Sequence, residues 1–168
     1  MQQRVSRLSA LGLIGGLAAA FAVRRVPARA SGTFAVTHSD AQWRKLLTPE
    51  RYRILREAGT EMPESSPLLN EHRAGRFACA GCALALFDAR TKFESGTGWP
   101  SFYAPLPGAV ATTTDTSLFM TRTEVHCSRC GGHLGHVFDD GPKPTGLRYC
   151  MNGAALVFEA AQTGNRSS

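Results

Sequence analysis

Two Cys-x-x-Cys pairs constrain this chain more than any other feature. Cys79-Ala80-Gly81-Cys82 and Cys127-Ser128-Arg129-Cys130 are separated by 44 residues, and glycine interrupts the first and follows the second. A tight turn of this kind aims two thiolates at one point. Two such knuckles supply the four soft donors of tetrahedral Zn2+, with Zn–S bonds of about 2.3 Å. The interval between the pairs exceeds that of a zinc finger, so a folded domain must bring them together. Disulfides are the alternative in an exported chain, and a thioredoxin-like redox motif is another. A disulfide within Cys-x-x-Cys is typically redox-active, and neither pair sits in the strand–helix setting of a redox motif. The pattern favours a structural zinc site of Cys79, Cys82, Cys127 and Cys130, closed to chemistry.

The segments around the knuckles read as β structure. Short apolar or alternating runs bounded by turn residues predict strands over 76–79, 83–87, 110–114, 118–126, 134–138, 147–151 and 155–159. Before them, Ser39 or Asp40 can cap a short helix through Trp43, Leu46 and Leu47. Thr48-Pro49-Glu50 opens a second helix, running to about Ala58 and stopping at Gly59, with Tyr52, Leu55 and Ala58 inward. Residues 61–75, broken by Pro63 and Pro67, read as a loop. The expected fold class is mainly β: two antiparallel β-sheets with short N-terminal helices and a four-cysteine zinc site.

The net charge of +6 suggests nucleic acid, but its location argues against it. Residues 1–30 hold five arginines and no acid, which leaves 14 basic against 13 acidic residues in the rest. That remainder has no basic stripe with interleaved aromatics, so no nucleic-acid partner is expected. Arg4 and Arg7, the apolar run Leu8–Val23 and Ala28-Arg29-Ala30 follow the order of a secretory signal. Export, to a periplasm, is the expectation. Arg24 and Arg25 after the apolar run are atypical, and an organelle transit peptide or an N-terminal membrane anchor is the alternative. The expected organisation is a leader at 1–30, a linker at 31–38, one domain at 39–160 and a flexible tail at 161–168.

With four cysteines assigned to zinc, one of the five remains. Cys150 lies between Arg148 and Asn152, and residues two apart share a strand face. A neighbouring cation favours the thiolate, the reactive form; a buried inert thiol is the plainer alternative. His133 and His136 follow the second knuckle. Their spacing of three gives no common strand face unless Gly135 permits a bulge or turn. They could be metal ligands, but four cysteines already fill that site; His126 belongs to the zinc periphery or the surface. In Ser95-Gly96-Thr97-Gly98-Trp99-Pro100, two glycines and a proline shape a loop that can present Trp99 as an apolar platform, unless Trp99 is simply core.

Together, Cys79-x-x-Cys82, Ser95 to Phe102, Cys127-x-x-Cys130, His133 to Phe138 and Gly146 to Asn152 resemble the B-type methionine sulfoxide reductases over about residues 38–159. The resemblance implies the two-sheet fold, with a four-cysteine zinc site on the side away from catalysis. It implies Cys150 as nucleophile and Trp99 against the methyl group of the sulfoxide, with Phe138 lining the pocket. It further implies a polar wall of His133, His136, Asp140, Arg148 and Asn152; Asp140 rather than Asp139 is chosen because it precedes Gly141. Implied partners are oxidised proteins or peptides as substrate and a thioredoxin-like or other thiol reductant, and nothing demands more than a monomer. Many members carry a resolving cysteine where this chain has Thr97, which puts an intramolecular disulfide step in doubt. A non-catalytic zinc-binding β module for a protein partner is the alternative of a different class, and a Cys-x-x-Cys thiol–disulfide exchanger is another.

Overall fold

A computed structural model describes residues 33–117 and 120–162. The expected leader, the first two linker residues, Leu118 and Phe119 of one predicted strand, and tail residues 163–168 lie outside the described residues.

Two short helices open the domain. Helix α1 (Asp40–Leu46) begins with a capping box: the Ser39 hydroxyl accepts from Gln42 N, and the Gln42 side chain accepts from Ser39 N. Trp43 is its buried residue, whereas Leu46 is 62% exposed. Helix α2 (Pro49–Glu57) is capped by Thr48, with proline in its first turn. It buries Tyr52, Ile54 and Leu55. Ala58 does not face inward; it is the left-handed C-cap, at φ 52°. The helix thus stops at Ala58, one residue earlier than expected. Among the described residues, no helix is long and apolar enough to cross a membrane.

Nine strands follow among the described residues: β1 (Gly75–Cys79), β2 (Ala85–Asp88), β3 (Lys92–Phe93), β4 (Ser101–Phe102), β5 (Val110–Asp115), β6 (Arg122–Cys127), β7 (His133–Phe138), β8 (Arg148–Met151) and β9 (Leu156–Ala160). They form a three-stranded sheet, β2-β1-β9, and a six-stranded sheet, β3-β4-β8-β7-β6-β5. Every pairing is antiparallel. Phe77 from the first sheet meets Phe102 from the second edge-on at 4.9 Å, and Phe87 stacks on Phe102 at 4.3 Å. All three are fully buried, and such ring pairs contribute about 0.5–1.5 kcal/mol each beyond the area they bury.

The β6–β7 pair carries the irregularity on which the site depends. Val125 pairs with Gly135 and His126 with His133, so Leu134 is an extra residue on β7. This bulge moves His133 onto the side of the sheet where His136 lies, and the two rings stand 5.5 Å apart. Gly135 has φ 156°, and a Cβ there would fall 2.1 Å from the Cys150 carbonyl oxygen. Only glycine lets β8 approach this closely.

Candidate active site and metal centre

A single cross-strand row organises the candidate active site. Ser101 on β4, Cys150 on β8, His136 on β7, Glu124 on β6 and Thr113 on β5 are successive register partners. Residues so aligned share one face of the sheet. Two positions along, Arg148 pairs with Phe138 and Arg122 with Asp115.

Cys150 is half-buried, its Sγ 3.7 Å from the Thr97 hydroxyl. Thr97 belongs to a hydroxyl cluster: Ser95 contacts Thr97 at 2.8 Å and Ser101 at 2.7 Å, and Ser101 donates to the Trp99 carbonyl. Gly96 and Gly98, at φ 70° and 89°, turn the loop so that Thr97 meets the sulfur. Arg148 makes two 2.8 Å bonds to Asp140 and lies 4.4 Å from the centre of the Phe138 ring. The Asp140 carboxylate raises the Arg148 guanidinium further, with a smaller contribution from Cys150. Asp140 itself is held below the usual carboxylate range by Arg148.

Two imidazole–carboxylate pairs stand beside the thiol. His136 Nε2 is 2.8 Å from Asp115, and His133 Nδ1 is 2.7 Å from Glu124. Burial pushes the His136 imidazole down, outweighing Asp115. Burial alone would raise Asp115, but hydrogen bonds from Ser117 and His136 and the charge of Arg122 take it well below its ordinary value. His136 is therefore neutral at pH 7. Its Nε2–H donates to the carboxylate, and its Nδ1 is left with a lone pair.

Asn152 sits differently from the alternation expected of it. It lies just past β8, 3% exposed, with both ends of its amide on backbone: Glu61 N donates to Oδ1 and Nδ2 donates to the Leu134 carbonyl. The residue that holds this corner is Glu61, absent from the sequence-based candidates. Its carboxylate, 4% exposed, accepts from Gly153 N at 2.6 Å and Ala154 N at 2.8 Å. Its carbonyl accepts from the half-buried Trp99 indole at 3.3 Å. Burial pushes the carboxyl up, against the pull of those two N–H groups. Glu61→Ala leaves the two donors without an acceptor, at about 1–3 kcal/mol each when buried. We expect a loss of about 3 kcal/mol in denaturant unfolding and a shifted Trp99 emission. Stability within 0.5 kcal/mol of the parent, on the scale of a neutral surface change, would remove Glu61 from this role.

Asp115, Glu124 and Glu61 carry no motif of their own: each meets the group it orients only through strand pairing or a contact distant in sequence. Period-two alternation on β6 does put Arg122 and Glu124 on one face, a signal usable once the β6–β7 register is known.

Cys150 is not part of the thiol cluster. The sulfurs of Cys79, Cys82, Cys127 and Cys130 all lie within 4.8 Å of one another. Cys79 and Cys130 are 3.7 Å apart, and Cys82 and Cys127 are 3.5 Å apart. Zn–S bonds of about 2.3 Å set at tetrahedral angles require sulfur separations of about 3.8 Å, so the donor set fits Zn2+. The cluster joins the end of β1 to the end of β6, with Leu55 of α2 packed near Gly81 and Gly132. The Arg56 guanidinium donates to the Cys130 carbonyl at 3.0 Å.

Fold and site together define an antiparallel two-sheet thiol protein, with a lone half-buried cysteine beside two imidazoles and a separate four-thiol cluster. Residues 47–160 match the SelR domain, and the chain belongs to that family, the B-type methionine sulfoxide reductases. It is 55% identical over 127 residues to the peptide methionine sulfoxide reductase MsrB of Leptospira interrogans, covering 75% of this chain and 97% of the relative. It is 56% identical over 125 residues to the MsrB of Agrobacterium fabrum, at 74% and 93% coverage. With the MsrB of Methanosarcina barkeri it shares 53% identity over 133 residues, at 79% and 94% coverage.

Proposed function

We propose that this chain is a peptide-methionine (R)-S-oxide reductase with Cys150 as its nucleophile. The observation that carries the reading is the setting of the lone thiol. It lies between the glycine-shaped Thr97–Trp99 loop and the His136 strand, outside the four-thiol cluster.

The Cys150 thiolate attacks the sulfoxide sulfur. Oxygen passes to the cysteine sulfur, the substrate sulfur is reduced by two electrons, and Cys150 is oxidised to sulfenic acid as methionine leaves. A proton must reach the oxygen as the S–O bond weakens. His133 and His136, each with one ring nitrogen bonded to a carboxylate, order the water that delivers it. Arg148, held by Asp140, faces the developing negative charge. Trp99 and Phe138 form the apolar side that takes the methyl group. Apolar and polar walls on opposite sides select one epimer, because the other would leave polar groups unpaired. Asn152, fixed by Glu61, closes the end of the pocket.

Recycling falls to an external reductant. Four of the five cysteines form the cluster and Thr97 carries no sulfur. Two thiol groups from a small thiol or a thioredoxin-like protein reduce the sulfenic acid through a mixed disulfide, giving Cys150, a disulfide and water. The Zn2+ proposed for the four-cysteine cluster holds the two knuckles together and supplies no step of this chemistry.

The deciding assay follows each epimer of peptide-bound and free methionine sulfoxide, with dithiothreitol as donor. Only the R epimer should be consumed. Equal turnover of both epimers, or of neither, overturns the reading. We further propose, from the order of charged, apolar and small residues in 1–30, that the chain is exported; an intact mass that retains those residues in the mature protein opposes cleavage at Ala30.

A further inference from the structure

We propose that Glu124 is a positioning residue for the sulfoxide reaction: its carboxylate fixes His133 with the proton on Nδ1 and so presents the Nε2 lone pair to the water that protonates the reacting oxygen. This rests on the reductase reading of the site.

The geometry comes from three elements. Glu124 lies on β6 in the same cross-strand row as His136 and Cys150. Its two oxygens have separate partners: Oε1 is 2.7 Å from His133 Nδ1, and Oε2 accepts from the Thr113 hydroxyl on β5 at 3.0 Å. The bulge at Leu134 carries the His133 ring to this side of the sheet. The ring is 2% exposed and 5.5 Å from that of His136.

An ionised carboxylate can only accept a hydrogen bond, so Nδ1 must carry the proton. The carboxylate is ionised at pH 7. Burial would raise it, but the hydrogen bonds from His133 and the Thr113 hydroxyl bring it below its ordinary value. Arg122 lies two positions away on β6, with its own charge taken up by Asp115. His133 Nε2 is then the free end of the ring. It is fully buried and has no hydrogen-bond partner among the described residues. A buried polar atom without a partner costs about 1–3 kcal/mol, an arrangement that makes sense where a reacting group will fill it. His136 contrasts with this, since its Nε2 is already taken by Asp115. The two imidazoles therefore keep opposite nitrogens clear of their carboxylates.

The test reads the tautomer directly. In 15N-histidine spectra, assigned with His133→Asn, the wild-type ring should show the proton on Nδ1. Glu124→Ala should shift the ring toward the Nε2–H form and lower kcat about 10- to 100-fold, the range for loss of a residue that orients a functional imidazole, with KM changed less than threefold. Glu124→Gln keeps a carbonyl that accepts from Nδ1–H. It should retain the tautomer and recover most of the lost kcat, and it carries the test if the alanine variant does not fold. An unaltered tautomer in Glu124→Ala, a kcat within twofold of wild type, or a glutamine variant that flips the ring each overturns the proposal. A wild-type chain that reduces no sulfoxide overturns the reductase reading instead, because the tautomer measurement needs no turnover.

Discussion

Cys150→Ser should lower R-sulfoxide turnover by at least about 10,000-fold, an increase of about 5.5 kcal/mol in the barrier, while the domain stays folded with its four-thiol cluster intact. The proposed reaction needs a thiolate, and a serine hydroxyl has no comparable anion near pH 7. Thr97, His136 and Arg148 surround the position but supply no nucleophile of their own. The packing change is small, because oxygen replaces sulfur at a half-buried site 3.7 Å from the Thr97 hydroxyl. Melting temperature and metal content should match wild type. The complementary result comes from a single turnover without reductant. Each wild-type chain should release one methionine and gain one oxygen atom on the peptide that holds Cys150. A serine variant with residual activity above one-hundredth of wild type would show that another group performs the chemistry. A non-catalytic binding module would lose nothing in this variant.

The elements legible in the sequence were those set by local chemistry. Ser39 with Gln42 and Thr48 with Pro49 announce their helices because the cap bonds run between residues three apart. Seven of the nine strands carry enough alternation or apolar length to be seen. Strands Lys92–Phe93 and Ser101–Phe102 do not, since two residues hold no periodicity. Yet Ser101 and Phe102 place the Trp99 loop beside Cys150 through pairing with β8. The stop at Ala58 rather than Gly59 reflects helix geometry overriding the usual preference for glycine in the left-handed region. The site divided along the same line. Its thiols and imidazoles stood out as motifs. The carboxylates that orient them did not, because Glu61 reaches Gly153 across 92 residues of sequence and Asp115 reaches His136 across 21. A lone acid in a loop or at a strand end has no local pattern until the sheet register is known.

Withdrawing the metal should unfold the domain without any direct part in the chemistry. The four thiols connect the end of β1 in the small sheet with the end of β6 in the large one. Among the described residues, α2 covers that edge through Leu55, and Arg56 bonds the Cys130 carbonyl. Structural Zn2+ in small peptides binds with roughly 10–16 kcal/mol, and a whole domain is stable by about 5–15 kcal/mol. Even a fraction of the binding energy is therefore comparable to total stability. Metal-free chains also crowd four sulfurs within 4.8 Å of one another, which repel once more than one of them is ionised. Chelation, or Cys127→Ser, should lower the melting temperature by at least about 10 °C, with 3 kcal/mol corresponding to about 9–18 °C in a domain of about 120 residues. Sulfoxide reduction should fall in proportion to the unfolded fraction, and restored metal should return both together. A chelated protein that keeps its melting temperature but loses activity would place the metal in the reaction. One that keeps both would show that the four sulfurs need no ion. Cys150→Ser and Cys127→Ser should thus fail in opposite ways: one a folded, metal-bound chain that cannot turn over, the other a chain with its nucleophile intact and no fold to hold it.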